Sequence, residues 1–140
     1  MPDIFSKEKR SIIMSKISSK NTKPEILVRK YLFAHGFRFR VNDKRLPGKP
    51  DIVLPKYKSV IFVNGCFWHG HKNCKASTLP TSNTDFWRTK IESNIERDTK
   101  EQMQLEQMGY KVFIIWQCQL KSKERENTLQ SIVEKLTAKN

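Results

Sequence analysis

Ser59-Val60-Ile61-Phe62-Val63-Asn64-Gly65-Cys66-Phe67-Trp68-His69-Gly70-His71-Lys72-Asn73-Cys74 is the stretch from which this fold is read. It opens as a buried strand, because Val60 to Val63 form a β-branched and aromatic run that ends at the turn residues Asn64-Gly65. Within the next nine residues stand two cysteines, two histidines and two aromatics. Packing alone seldom leads a hydrophobic strand into such a cluster. Cys66, His71 and Cys74 have the spacing of metal ligands, and Cys118 is the remaining cysteine of the chain. A Cys3His set is a structural zinc set, tetrahedral and closed to substrate. The competing explanation is three buried thiols packing as small hydrophobes. Phe67 and Trp68 sit at the tip, where a protein gains little from them unless something covers them. His69 is left over, available for a local hydrogen bond or as a base near neutral pH.

Upstream, Leu46-Pro47-Gly48-Lys49-Pro50 reads as a rigid loop delivering Asp51 to the strand Ile52-Val53-Leu54. A carboxylate at the mouth of an apolar strand costs several kcal/mol, roughly, unless it is paired or bound to a metal. A turn-capping Asp after proline is the other explanation. Lys56-Tyr57-Lys58 turns the chain back, so strands 51–54 and 59–63 pair antiparallel. Before the loop, Thr22-Lys23-Pro24-Glu25 is a capping box that opens a helix ended by Gly36, and Phe37 to Val41 alternates as a half-buried strand. After the cluster, a long helix runs from Thr84 or Asp85 to about Met108, with Gly109 as its stop and Phe86 and Trp87 in its first turn. Tyr110 to Trp116 reads as a buried strand of the parallel-sheet kind, and a final helix spans about 123 to 136. The expected architecture is α/β, a mixed sheet flanked by helices.

The chain has 140 residues, enough for one domain with one core. Its 27 Lys and Arg against 14 Asp and Glu leave a formal charge of +13, which makes a polyanion such as nucleic acid the expected partner. No apolar run approaches the roughly 18 residues of a membrane span. The N-terminus lacks a signal core, which predicts a cytoplasmic protein. Three cysteines, an odd number, argue against a disulfide framework. Residues 1–20 form a basic N-terminal arm, either a helix packed on the body or a segment ordered on DNA with Met14 as an apolar wedge; residues 21–140 form the main domain.

Taken together, these motifs resemble the very short patch repair mismatch endonucleases. The resemblance rests on M-S-x-I at Met14, T-x-x-E at 22–25, L-P-G-K-P-D at 46–51 and G-C-F-W-H-G-H at 65–71. D-F-W-x-x-K-I at 85–91, N-x-E-R-D at 94–98, and G-Y-K-V at 109–112 with Cys118 extend it over nearly the whole chain. It implies a restriction-endonuclease-like fold in which residues 21–140 are the catalytic domain. It also implies nicking of one DNA strand 5′ to the thymine of a T·G mismatch left by deamination of 5-methylcytosine. By motif, Asp51 and the main-chain carbonyl of Val63 would bind Mg²⁺, His69 would assist the attacking water, and Glu25 would act through a metal-bound water. Cys66, His71, Cys74 and Cys118 would hold Zn²⁺. Phe67, Trp68 and Trp87 would wedge into the duplex, with Met14 approaching from the other side. Implied partners are double-stranded DNA carrying the mismatch, mismatch-repair proteins and a cognate cytosine methyltransferase, with the enzyme a monomer at the bacterial nucleoid. Two departures stand out: the acidic-x-Lys half-motif of restriction-type nucleases is absent at Val63-Asn64, and the family's best-known members carry His where this chain has Asn64. The alternatives are a restriction-type nuclease of different specificity and a zinc-stapled DNA-binding module without catalysis. Only the nucleases need Asp51 and His69.

Overall fold

The computed structural model of the chain describes residues 23–72 and 74–138. The expected N-terminal arm, with Met14 and the capping residue Thr22, lies outside the described residues. Among them are helices α1 (Lys23–Ala34), α2 (Thr84–Gln107) and α3 (Arg125–Thr137), and strands β1 (Arg40–Val41), β2 (Ile52–Leu54), β3 (Ser59–Asn64) and β4 (Lys111–Trp116). The strands form one mixed sheet in the order β1-β2-β3-β4, antiparallel for the first two pairs and parallel for β3 with β4.

Alternation along the strands assigns each face of the sheet its helices. Ile52, Leu54, Ile61 and Ile115 point to one side, where Val28 and Leu32 of α1 and Leu129, Ile132 and Leu136 of α3 cover them. Val53 and Val60 point to the other side, against Leu105 of α2. The result is three layers, helix on sheet on helix. Truncating a core side chain such as Leu32, which is fully buried, to alanine costs about 2–5 kcal/mol.

Local signals account for the element ends. Gly36 has φ +85, its amide bonds to Phe33 O (3.0 Å), and the Phe37 amide bonds to Leu32 O (3.0 Å), a Schellman stop for α1. That stop also shortens the strand expected at 37–41. With Phe37 drawn back to the helix, pairing with β2 begins only at Arg40. The β2–β3 turn is a 3₁₀ turn at Pro55–Tyr57 followed by Lys58 in the left-handed region, φ 49. β4 is parallel to β3 as expected, but it is an edge of the sheet, and only Ile115 is fully covered. Of the apolar residues of α2, Ile91 and Leu105 are buried, whereas Ile95 and Met103 are exposed, as is Met108 at its C-cap. No helix among the described residues is long and apolar enough to cross a membrane.

Candidate active site and metal centre

The parallel pair β3 and β4 ends on the same side as the start of β2, and the chemistry-bearing residues gather there. A cleft of about 1050 Å³ is lined by Glu25 of α1, Lys49 and Asp51 of the loop before β2, Val63 and Asn64 at the end of β3, His69, and Arg97, Asp98 and Glu101 of α2. Asp51 lies one residue beyond the last β2–β3 pair, so its carboxylate meets the strand that continues past it. The Val63 amide donates to Asp51 Oδ2 at 2.6 Å. A residue in an antiparallel strand offers its N–H and C=O to the same neighbour, so the Val63 carbonyl faces the Asp51 side too.

Burial pushes the Asp51 carboxyl up to about 7 from an ordinary value of 3.8. The Val63 amide opposes that rise, the Glu25 carboxylate adds to it, and Arg29 and His69 moderate it. Glu25 is only 5% exposed and accepts from Arg29 Nη2 at 3.3 Å. It therefore lines the cleft from its buried side.

His69 is oriented by a residue that the sequence reading quoted only within a motif. Its Nδ1 lies 2.5 Å from Asp98 Oδ2, on the side of α2 from which Asn94 and Glu101 also reach the site loops. A carboxylate only accepts, so the neutral His69 ring carries its hydrogen on Nδ1 and leaves Nε2 as the acceptor. Arg97 reaches both neighbours, Nη2 at 3.8 Å from Asp98 and Nε at 3.4 Å from Glu101. The link between His69 and Asp98 spans 29 positions, and no local pattern encodes it.

Behind the cleft, Cys66, His71, Cys74 and Cys118 bring their ligand atoms within 4.8 Å of one another, a set able to hold a metal ion. Tetrahedral thiolate sites with metal–sulfur bonds of about 2.3 Å separate their sulfurs by about 3.8 Å, so little closure is needed. The loop is prepared for this. The His71 amide bonds to Cys66 O (2.9 Å), and Ser77 Oγ donates to the carbonyls of His71 (2.6 Å) and Cys74 (2.7 Å). Trp116 stacks on the His71 ring, centroids 4.1 Å apart and planes 8° from parallel. Burial, with Cys66 and Cys74 alongside, pushes the Cys118 thiol up to about 12, while the Ala76 amide lowers Cys74. A cation held among the three sulfurs would offset that crowding.

Between the two sites the chain turns at Gly70, φ +61. A Cβ there would stand 2.5 Å from Ile95 and 2.8 Å from Ile91, so the loop can lie against α2 only with glycine. The fit brings Phe67 and Trp68 onto Trp87 at 5.5 and 5.8 Å, edge to face, and Phe86 onto Trp87 at 5.2 Å. Trp68 remains 47% exposed and Phe86 61% exposed. The aromatics that the sequence singled out at 67, 68 and 87 thus form one cluster beside the cleft, with Phe86 added.

The sequence matches a known family over much of its length. The profile of the family described as "DNA mismatch endonuclease Vsr" matches residues 2–76. The chain is 58% identical over 133 residues to the type II nicking enzyme V.NmeAIP of Neisseria meningitidis serogroup A, covering 92% of this chain and 94% of that protein. It is 48% identical over 120 residues to the type II nicking enzyme V.XorIIP of Xanthomonas oryzae pv. oryzae, covering 86% and 88%. It is 39% identical over 136 residues to the DNA mismatch endonuclease Vsr of Escherichia coli K12, covering 97% and 86%.

Proposed function

The chain belongs to the DNA mismatch endonuclease Vsr family, and from that premise we propose that it is a Mg²⁺-dependent, strand-nicking endodeoxyribonuclease of restriction-endonuclease-like fold. Its substrate is duplex DNA with a T·G mismatch, cut 5′ to the thymine. The observation that carries this reading is the pairing of a buried, strand-mouth carboxylate with a carboxylate-oriented histidine in one cleft, next to exposed aromatics.

Two cations suit two donor sets. The oxygens of Asp51 and the Val63 carbonyl are hard donors suited to Mg²⁺, and burial, the main cause of the raised Asp51 pKa, makes a bare carboxylate costly there. The thiolates of Cys66, Cys74 and Cys118 with His71 suit Zn²⁺ in a structural role. When bound, Mg²⁺ supplies positive charge to the phosphate and acidity to a water. The chain's own groups do the rest. His69 Nε2 takes the proton of the attacking water, Asp98 holds the imidazole in the required tautomer, and Glu25 orients water from the buried side. A positioned base of this kind contributes roughly 10²–10⁴-fold.

Phe67, Trp68 and Trp87 are suited to enter a base step. Unstacking costs a few kcal/mol, roughly, and least at a mispair, so a wedge favours mismatched duplex before any base edge is read. The basic surface adds affinity for phosphates that falls with salt. The test is a nicking assay on end-labelled duplexes with and without a T·G pair, in Mg²⁺ and in its absence. The expected result is Mg²⁺-dependent cleavage of the thymine strand alone, at one position. Equal cutting of both duplexes would leave a nuclease of other specificity, and binding without cutting would leave the non-catalytic module.

A further inference from the structure

The site lacks the lysine that restriction-type nucleases carry beside their acidic residues, since Val63 and Asn64 occupy that strand end. We propose that Lys49 supplies the missing cation, its ammonium contacting the scissile phosphate as a catalytic residue. This rests on the nuclease reading above. In the reaction the water oxygen forms a new bond to phosphorus and its proton passes to His69. The bond from phosphorus to the leaving nucleotide oxygen breaks, and that oxygen keeps the electron pair and takes a proton from solvent. Negative charge on the non-bridging oxygens rises on the way, and a cation already fixed in the cleft stabilises it there.

The backbone at Lys49 is constrained, and its exposed side chain starts from the rim of the cleft. Gly48 and Lys49 are consecutive left-handed residues, φ +75 and +48. Glycine adopts that region without penalty; lysine does not. Strain of this kind collects at functional sites, where surrounding structure enforces it. Here the enforcement is visible. The Lys49 amide donates to Leu46 O at 3.1 Å, Pro47 and the buried Pro50 flank the pair, and Gly48 lies beside the side chains of Glu101 of α2 and Phe62 of β3. A Cβ on Gly48 would meet the Phe62 ring at 3.2 Å and collide with the Glu101 carboxylate. Lys49 thus lines the same cleft as Asp51, two positions away, with His69 and Asn64. Among the described residues no carboxylate holds its ammonium, in contrast to Arg97, which Asp98 and Glu101 both engage.

The experiment compares the full-length wild type with Lys49→Ala, Lys49→Arg and Lys49→Gly on a T·G duplex. Single-turnover nicking rates are measured at saturating protein, with DNA affinity and its salt dependence measured without Mg²⁺. The expected result is a rate about 10²-fold lower for Lys49→Ala and Lys49→Gly, by the magnitude seen on losing one preorganised donor. Affinity then changes little, and Lys49→Arg recovers most of the rate. Lys49→Gly should also melt higher than wild type, because it relieves the left-handed lysine. An unchanged saturated rate with weaker, less salt-dependent binding would make Lys49 an affinity contact and overturn the proposal. Equal rate loss in all three variants with a lowered melting temperature would make the loop merely structural and overturn it as well. A wild type that does not nick would fail the nuclease reading itself, a result separable from both.

Discussion

Replacing Asp51 with asparagine should make the magnesium-free protein more stable while removing its cleavage. The Asp51 carboxyl titrates at about 7 in the folded protein against 3.8 for an ordinary aspartate. Between those values the folded protein holds a proton that the unfolded chain releases. Stability therefore falls as pH rises through that window and is lowest above it. A shift of about three pKa units corresponds to about 4 kcal/mol. The substituted amide would stay neutral at every pH, and its oxygen can still accept from the Val63 amide. Asp51→Asn should therefore be more stable than wild type by about 2–4 kcal/mol at pH 8 and equal to it near pH 4. For a chain of this size that is roughly 6–12 °C in Tm at pH 8. The assay is urea unfolding by tryptophan fluorescence at both pH values, in zinc-replete buffer free of magnesium. Adding Mg²⁺ should narrow the gap at pH 8 by stabilising only the wild type. A gap independent of pH, or a wild type more stable than the variant at pH 8, would refute the view that Asp51 is a costly anion awaiting a cation.

Other perturbations separate the roles assigned above. Cys118→Ser should lose bound zinc and lower Tm by roughly 10 °C or more, in keeping with the folding energy such sites supply, as followed by metal analysis and calorimetry. Full stability with no metal bound would remove the structural zinc. Asp98→Asn should lower the saturated nicking rate by about 10–100-fold with affinity preserved, because the carboxylate that orients His69 is replaced by an amide. An unaltered rate would detach Asp98 from the reaction. Trp68→Ala should reduce the preference for T·G over matched duplex more than it reduces overall binding, measured by parallel titrations. Equal losses on the two duplexes would argue against a wedge.

The sequence was informative where a residue's task is local. The stop at Gly36, the β2–β3 turn and the parallel strand at 111–116 follow from residue chemistry within a few positions. The Cys/His set was legible because the chain has only those cysteines and the loop groups three of the ligands. What local pattern could not yield was partnership across elements. Glu25 read as half of a capping box, yet it is buried beside Arg29 within reach of Asp51's charge. Asp98 was visible only as the end of the N-x-E-R-D motif, and Glu101 carried no local signal at all. Their tasks depend on a crossing of α2 over the loops at 46–50 and 65–71, which no periodicity within α2 records. The strand at 37–41 was over-read because alternation persists even where a helix stop has taken the first amide.

That crossing gives the site its organisation. Along one side of α2, Trp87 completes the aromatic cluster, Asn94 donates to the Trp68 carbonyl at 2.9 Å, Asp98 holds His69, and Glu101 abuts Gly48 in the loop that leads to Asp51. Trp68 and His69 are neighbours in sequence, and residues one helical turn apart on α2 hold them. A single 24-residue helix is thus the common reference for the groups suited to enter DNA and the groups suited to cut it. Because packed interiors transmit strain and do not deform continuously, a duplex that seated the aromatics poorly would also misplace His69 relative to Asp51. On the proposed reading, discrimination would then operate on rate as well as on binding, since a displacement of about 1 Å can cost a reaction roughly 10²-fold. The aromatic cluster would select its substrate through the alignment of the base, with no base-specific hydrogen bond required.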